Sequence, residues 1–328
     1  MTKSPGAILD GDSRPKGRGA GTQPRNRESR GTLHLEDARV IKQTAYDGEQ
    51  FVLRLAAPAC AARAQPGNFV HLTCDVTIPM RRPLSIMRAD AEAGWIEVLY
   101  KVLGSGLHAL AARKPGDSVS IIGPIGKPFS LHPERPRPVL IGGGVGIPPM
   151  VFLAERLRAS LSPASARAGA SGIPSGLYKP LVLMGSEIPF PFRTRPSAIV
   201  VAGMPVGTIA CMPLLDEWGI ASRLASRSGF PGCYEGFVTE LAEEWLSTLA
   251  APQLAEVELF ACGPTPMLAA AAAVARRFGV PCQASLEEFM ACAVGGCAGC
   301  TVLVRTPEGE AMKRVCVDGP VFDALTVF

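Results

Sequence analysis

Four cysteines near the C-terminus, Cys292, Cys297, Cys300 and Cys316, constrain this chain more than any other feature. The run Cys292-Ala-Val-Gly-Gly-Cys297-Ala-Gly-Cys300 sets three thiols at C-x4-C-x2-C spacing, and Cys316 follows beyond a hairpin turned at Pro307 to Gly309. That order suits a 2Fe-2S cluster held by four thiolates. Such a cluster must be wrapped closely by backbone N–H groups, and Gly295, Gly296 and Gly299 supply unhindered backbone where the chain has to wrap. Zinc competes, since four thiolates suit it too, although its ligands usually arrive as paired C-x2-C knuckles. Inert buried thiols are the third reading. The other six cysteines, at 60, 74, 211, 233, 262 and 282, are scattered and read as packing residues.

A length of 328 residues with 47% hydrophobic and 19% charged side chains is an ordinary globular balance, with room for two or three domains. The formal charge of +4 resides entirely in residues 1–32, where Lys3, Arg14, Lys16, Arg18, Arg25, Arg27 and Arg30 outweigh Asp10, Asp12 and Glu28. The remainder is balanced, so no broad positive field points to nucleic acid or to an anionic membrane. Residues 1–32 read as a disordered basic tail, with a binding arm as the alternative. No apolar run reaches the ~20 residues of a membrane span, and no apolar segment follows the first basic residues. A soluble cytoplasmic protein with reduced thiols is expected.

Residues 33–134 read as a small antiparallel β-barrel. Short strands at Phe51–Leu55, Asn68–Thr73, Trp95–Val102 and Ser118–Ile122 are bounded by Pro66-Gly67, Pro115-Gly116 and Gly123-Pro124, with a helical turn at Gly106–Arg113. Residues 135–282 alternate strand and helix. Strands are expected at Pro138–Ile141, Leu181–Met184, Ser197–Val201 and Val257–Ala261, and helices at Pro149–Arg158, Val238–Leu249 and Pro266–Phe278. This pattern predicts a doubly wound parallel α/β domain with helices on both faces. Residues 159–178 interrupt it as a flexible insertion, and 283–328 form a small cluster domain. The whole is an α+β and α/β multidomain chain.

The loop Ile141-Gly-Gly-Gly-Val-Gly-Ile-Pro-Pro149 follows a strand and opens a helix. Gly144-x-Gly146-x-x-Pro149 can therefore let a dinucleotide pyrophosphate reach the backbone and the helix N-terminus, with strand-to-helix packing as the bland alternative. In the barrel, Arg82-Pro83-Leu84-Ser85 offers a guanidinium to clamp a pyrophosphate beside a hydroxyl three residues on, or else an ordinary exposed strand end. Leu99-Tyr100-Lys101, Gly104-Ser105-Gly106 and Cys262-Gly263-Pro264 follow in order.

A barrel with Arg-Pro-Leu-Ser, a Gly-Gly-Gly-x-Gly-x-Pro-Pro loop, Cys-Gly-Pro and a C-x4-C-x2-C…C cluster resembles the ferredoxin reductase superfamily. Within it the chain is similar to the electron transfer subunits of bacterial type 1B dihydroorotate dehydrogenases. The likeness spans residues 33–328 apart from the insertion and is strongest at Ser285–Cys292 and Val315–Ala324. The resemblance implies FAD against Arg82, Pro83, Leu84 and Ser85, with Ser85 near the flavin N5, and Leu99, Tyr100, Lys101, Gly106 and Leu107 completing the site. It implies that Gly142, Gly143, Gly144 and Gly146 face the nicotinamide dinucleotide and that Cys262 lies near the nicotinamide, where a strand-end packing thiol is the alternative. Ser85 and Cys262 would then be the catalytic pair.

The resemblance further implies a separate FMN-containing catalytic subunit in a hetero-oligomer, expected as a heterotetramer. That partner would oxidise dihydroorotate, and electrons would reach NAD+ through the cluster and FAD during de novo UMP synthesis. Ser226-Arg227-Ser228-Gly229 departs from the acidic pair common in the family. In related reductases a Ser-Arg in this region holds the 2′-phosphate of NADP, so Arg227 keeps NADP open against the reading of a solvated arginine. A reductase subunit of a ferredoxin:NADP or sulfide-reducing system is the first alternative function. A non-redox module with zinc at the four cysteines is the second.

Overall fold

The computed structural model describes residues 33–158 and 176–328; the basic tail and all but the last residues of the insertion lie outside the described residues. The barrel expected from the strand spacing is present and closed. Its strands are β1 (His34–Tyr46), β2 (Gln50–Ala56), β3 (Phe69–Leu72), β4 (Arg82–Asp90), β5 (Trp95–Lys101) and β6 (Ser118–Ile125), joined antiparallel in the order β1-β2-β5-β4-β3-β6. Alternation fills the interior: Leu53 and Leu55 of β2, Ile96, Val98 and Tyr100 of β5, and Val70 and Leu72 of β3 are buried together. β1 escaped the sequence pattern because only Ala38 and Val40 are buried among its polar neighbours.

Two short helices belong to the barrel, α1 (Pro58–Ala61) and α2 (Gly104–Ala111). Gln43 fixes the end of α2: its side-chain NH2 donates to the carbonyls of Leu110, Ala111 and Arg113 at 3.3, 2.8 and 3.1 Å. Those are terminal carbonyls that the helix cannot satisfy itself. The Tyr100 hydroxyl in turn donates to Gln43 Oε1 at 2.9 Å, so the barrel interior holds the helix from behind and leaves its N-terminal turn facing outward.

The second layer system follows in chain order. β7 (Arg137–Gly143), α3 (Ile147–Arg158) and β8 (Leu181–Gly185) are followed by a minor pair, β9 (Arg195–Pro196) and β10 (Ala210–Cys211). Then come α4 (Pro213–Glu217), β11 (Ala221–Ala225), α5 (Val238–Ser247), α6 (Ala251–Leu254), β12 (Val257–Cys262), α7 (Thr265–Phe278) and β13 (Cys282–Ser285). β11, β8, β7, β12 and β13 lie side by side and parallel.

The strand expected at Ser197–Val201 is not formed. The Ser197 hydroxyl accepts from the Ile199 N–H at 3.1 Å and donates to Asp216 Oδ1 at 2.7 Å, so a local turn competes with the ladder. Val200 is left 92% exposed. The place in the sheet goes to β11, whose central residues Ser222 and Arg223 disguise it as polar. Arg223 is nonetheless buried, with its guanidinium donating to the carbonyls of Ser222 at 2.6 Å and Ile199 at 2.7 Å.

The C-terminal segment forms the expected hairpin, β14 (Thr301–Thr306) with β15 (Gly309–Arg314), then α8 (Val315–Asp318), β16 (Val321–Asp323) and α9 (Ala324–Val327). β16 joins the large sheet antiparallel to β13, an edge that the expectation of a purely parallel sheet did not contain. Met290, Cys300, Val315 and Cys316 share one apolar core with Phe69 and Ile125 of the barrel and with the sheet. Arg88 of β4 also ties barrel to helix: its Nη2 lies 2.6 Å from Glu155 Oε1 of α3, and its guanidinium stands 5.3 Å from the Trp218 ring.

Candidate functional site

Cys292, Cys297 and Cys300 lie on one loop, and Cys316 on α8, just beyond the hairpin that follows it. Ala293 and Ala298 both adopt φ of 55° and Gly295 a φ of 86°. Left-handed backbone is uncommon outside glycine, and alternating it with right-handed residues turns successive N–H groups into one concavity suited to anionic sulfur. Cys297 N–H donates to Cys292 Sγ, and Gly299 N–H to Cys297 Sγ, each at 3.4 Å. Burial would raise the Cys292 thiol, but hydrogen bonds from the backbone of Cys297, Val294 and Gly296 outweigh it and hold the pKa down to about 6. Cys316 goes the other way, pushed up to about 12 by burial and by neighbouring Cys300. Cys297 is exposed, whereas Cys300 and Cys316 are buried.

Gly295 has a specific packing reason, since a Cβ there would stand 2.5 Å from Val317 Cγ2. Gly296 has none, for nothing lies within 4 Å of that position. Among the described residues no three His, Cys, Asp or Glu side chains close around a point that would hold a single metal ion. Soft donors beneath inward N–H groups fit an iron-sulfur cluster.

The second part of the site is the barrel mouth. Arg81 and Arg82 are adjacent but do different work. Arg81 Nη1 donates to the carbonyls of His71 at 3.2 Å and Ser120 at 2.8 Å, so that guanidinium bolts β3 to β6. Among the described residues, Arg82 is hydrogen-bonded through Nη1, which donates to the carbonyls of Met80 at 2.7 Å and Arg81 at 3.3 Å. Its guanidinium lies against Gly106, where a Cβ would be 3.0 Å away. Glycine thus lets a fixed positive charge stand beside the first turn of α2, whose free N–H groups carry the positive end of the helix dipole. Together they can receive a phosphate.

Pro83, Leu84 and Ser85 are half-buried along β4, and Leu107 packs at its edge of the barrel core. Leu99 is buried toward Ile147 and Met150 of the glycine loop and its helix. Lys101 ends β5 half-buried. Tyr100 differs from the expectation: its ring is stacked on Phe51 at 5.5 Å inside the barrel and its hydroxyl is committed to Gln43. Only its backbone is left to line a flavin site.

The glycine loop divides in the same way. A Cβ on Gly142 would stand 3.1 Å from Ile147 Cα, and one on Gly143 2.4 Å from Met267 Sδ. One on Gly146 would stand 2.2 Å from the Cys262 carbonyl oxygen. Gly142 and Gly146 are glycine because backbone presses on backbone, and Gly143 because the Met267 side chain lies across it. Gly144 alone has φ of +53° with open space above it, and it is the position where a ligand can approach. Cys262 ends β12 fully buried, and burial holds its thiol well above the ordinary range, in the neutral form. Arg227 follows β11 at the C-terminal edge of the sheet, exposed but engaged: its Nε lies 3.5 Å from Glu187 Oε2 and its guanidinium 4.2 Å over the Phe237 ring.

Residues 287–328 match the family model of the iron-sulfur cluster binding domain of dihydroorotate dehydrogenase B, and residues 37–129 match that of an oxidoreductase FAD-binding domain. The NAD(+)-type dihydroorotate dehydrogenase B electron transfer subunit of Caldanaerobacter subterraneus subsp. tengcongensis is 32% identical over 261 residues, covering 79% of this chain and 85% of the relative. The chain belongs to the dihydroorotate dehydrogenase B electron transfer subunit family. The electron transfer subunit of Geobacillus kaustophilus is likewise 32% identical over 299 residues, covering 89% of this chain and 96% of the relative. A solved NADH-dependent reduced ferredoxin-NADP oxidoreductase superposes with a TM-score of 0.66 at 26% identity, covering 89% of this chain and 90% of that one. A ferredoxin reductase of carbazole 1,9a-dioxygenase shares the fold, with a TM-score of 0.54 at 20% identity. As an electron transfer subunit of this family the chain carries FAD-binding and iron-sulfur domains, and the zinc reading of its cysteine segment is dropped.

Proposed function

We propose that this chain carries electrons from a separate FMN-bearing subunit, which oxidises dihydroorotate, to NAD+ in cytoplasmic pyrimidine synthesis. One observation supports the reading above the others. The cluster segment is not merely appended: Met290, Cys300 and Cys316 belong to the same apolar group as Phe69, the β3 residue opposite Ser85. The strand beside the flavin strand and the cluster segment are thus tied into one core. Bound FAD and the 2Fe-2S cluster supply the exchange between hydride transfer and single-electron steps.

The polypeptide positions them. Arg82 and the N-terminal turn of α2 hold the FAD pyrophosphate, and Pro83, Leu84, Leu99, Lys101, Gly106 and Leu107 shape the flavin slot with the backbone of Tyr100. Ser85 presents its hydroxyl to the ring edge. Gly144 admits the nicotinamide dinucleotide, while Gly142, Gly143 and Gly146 hold the loop on the sheet. Cys262 packs beneath the nicotinamide as a neutral thiol. Cys292, Cys297, Cys300 and Cys316 ligate the cluster. Phe289, 94% exposed, and Val294 offer apolar surface on the same segment as exposed Cys297, where the FMN subunit docks in a hetero-oligomer.

Replacing Arg82 with alanine is expected to weaken FAD binding about 10- to 100-fold, the size of a lost charge-assisted contact, with unchanged far-ultraviolet circular dichroism. Flavin retention on gel filtration and calorimetric titration of the stripped protein measure it. The function itself is tested by co-expression with a candidate FMN-bearing subunit and assay of dihydroorotate-driven NAD+ reduction. No turnover from a complex loaded with FAD and cluster rejects the dihydroorotate reading.

A second reading, a reductase subunit of a ferredoxin:NADP system, is favoured by the likeness to the ferredoxin-NADP oxidoreductase and by Arg227. It requires NADPH to reduce the flavin faster than NADH, and Arg227→Ala to remove the difference. The Glu187 carboxylate beside Arg227 opposes a 2′-phosphate, so NADH is expected to be the faster reductant. Stopped-flow flavin bleaching with each nucleotide decides.

A further inference from the structure

A register shift in β4 decides where Arg88 points. The pairing of β4 with β5 steps from Ile86 to Arg88 across Met87. Leu84, Ile86 and Ala89 pack in the barrel core, whereas strict alternation from Ile86 would send Arg88 there. The extra residue of a bulge re-aims the side chains beside it, so Met87 and Arg88 both leave the core. Met87 is buried instead in the group that holds Ile147 and Met150 of α3.

Arg88 meets the same helix with two donors. Its Nε and Nη2 both donate to Glu155 Oε1, at 2.9 and 2.6 Å, and Nη1 lies 3.7 Å from Glu97 Oε2 of β5. Glu155 Oε2 is buried with no hydrogen-bond partner among the described residues, so Arg88 supplies the hydrogen bonds of this carboxylate. The guanidinium also stands 5.4 Å from the Trp95 ring of β5 and 5.3 Å from the Trp218 ring beyond α4. Arg54 lies 4.0 Å over Trp95 and Arg158 5.6 Å over Trp218, which extends an alternation of arginine and tryptophan from barrel to helix. Both partners of the ion pair sit close to assigned sites. Arg88 follows Ser85 by about 10 Å of strand, and Glu155 follows Ile147, where α3 leaves the glycine loop, by about 12 Å of helix.

We propose that Arg88 and Glu155 are positioning residues for hydride transfer: their ion pair fixes the strand that carries Arg82–Ser85 against the helix that leaves the glycine loop, and so sets the approach of nicotinamide to flavin. The proposal rests on the placement of FAD along Arg82–Ser85 and of the dinucleotide at Gly144. Apolar packing of Met87 on α3 is non-directional, whereas a rigid guanidinium fork admits few orientations. A misplacement of about 1 Å between reacting groups can cost about 100-fold in rate.

The test compares Arg88→Met, which keeps the aliphatic stem, with the pair replacement Arg88→Met/Glu155→Met. The single variant leaves a buried carboxylate unpaired and is expected to melt lower; the double variant removes that charge, and its melting temperature is expected to return close to parental. In both, flavin reduction at saturating NADH is expected to slow about 10- to 100-fold, with FAD retention and NADH affinity unchanged. The long-wavelength charge-transfer absorbance of the NADH-bound flavin, which reports the overlap of the two rings, is expected to weaken in both. A pair with a merely structural role would recover its rate together with its stability, so a double variant with parental melting temperature, parental rate and parental charge-transfer band overturns the proposal. Should the double variant not recover its stability, Arg88→Lys decides, since it keeps the charge without the fork. Reduction several-fold slower at parental NADH affinity is expected there, and a parental rate overturns the proposal. Failure of the underlying site placements looks different: FAD retention would be indifferent to Arg82→Ala, or NADH affinity to Gly144→Ala.

Discussion

Serine in place of Cys300 or Cys316 will yield a protein that retains FAD but has lost its 2Fe-2S absorbance, its iron and its acid-labile sulfide. Both thiols are buried, at 3% and 2% exposure, which leaves little room for water to enter as a replacement ligand. Cys316 is the more telling of the two. With its pKa pushed up to about 12 it stays protonated in the empty protein, and iron must displace the proton. A serine hydroxyl is harder still to deprotonate and is a poorer partner for iron. Dihydroorotate-driven NAD+ reduction by the assembled complex should be abolished, whereas NADH should still bleach the flavin. Cys233→Ser is the control, since Cys233 lies outside the cluster segment, and parental cluster content is expected there. A Cys316→Ser protein with full iron and unchanged visible absorbance would sink the assignment of the fourth ligand.

What the sequence disclosed divides along a physical line. The hairpin at Pro307–Gly309 and the alternating barrel strands are local or periodic features, and each appeared as expected. Contacts between distant segments were hidden. β11 was overlooked because Arg223 and Ser222 find backbone and hydroxyl partners only once the Ile199 turn and Met212 are in place. Tyr100 looked like a flavin contact, but its direction is set by Gln43, 57 positions away. The spacing to Ser85 singled out Arg82, but that its neighbour Arg81 is spent on holding strands while Arg82 stands beside α2 shows only in the fold. The four glycines of the loop looked alike, and their roles separate only in three dimensions.

That separation predicts a second large effect. Gly146→Ala would place a methyl 2.2 Å from the Cys262 carbonyl oxygen, 2.3 Å from its carbon and 2.5 Å from the Gly263 nitrogen. All three atoms are backbone at the end of β12, so no rotamer change relieves the clash; the loop must lift or the strand end must bend. Overpacking costs typically ~1–3 kcal/mol where side chains can adjust, and the rigid surroundings here put the expected loss at about 3 kcal/mol or more. Since the same loop is proposed to shape the dinucleotide site, flavin reduction by NADH should become markedly slower together with the fall in melting temperature. Gly144→Ala provides the contrast. No atom stands within 4 Å of its Cβ position, and only the φ of +53° penalises it, by about 1 kcal/mol. Its methyl would project into the open space where the pyrophosphate approaches, so NADH affinity should fall at nearly parental stability. Thermal unfolding and stopped-flow flavin reduction on both variants test the division: equal melting temperatures would remove the close approach at Gly146, and unchanged NADH affinity in Gly144→Ala would move the dinucleotide elsewhere.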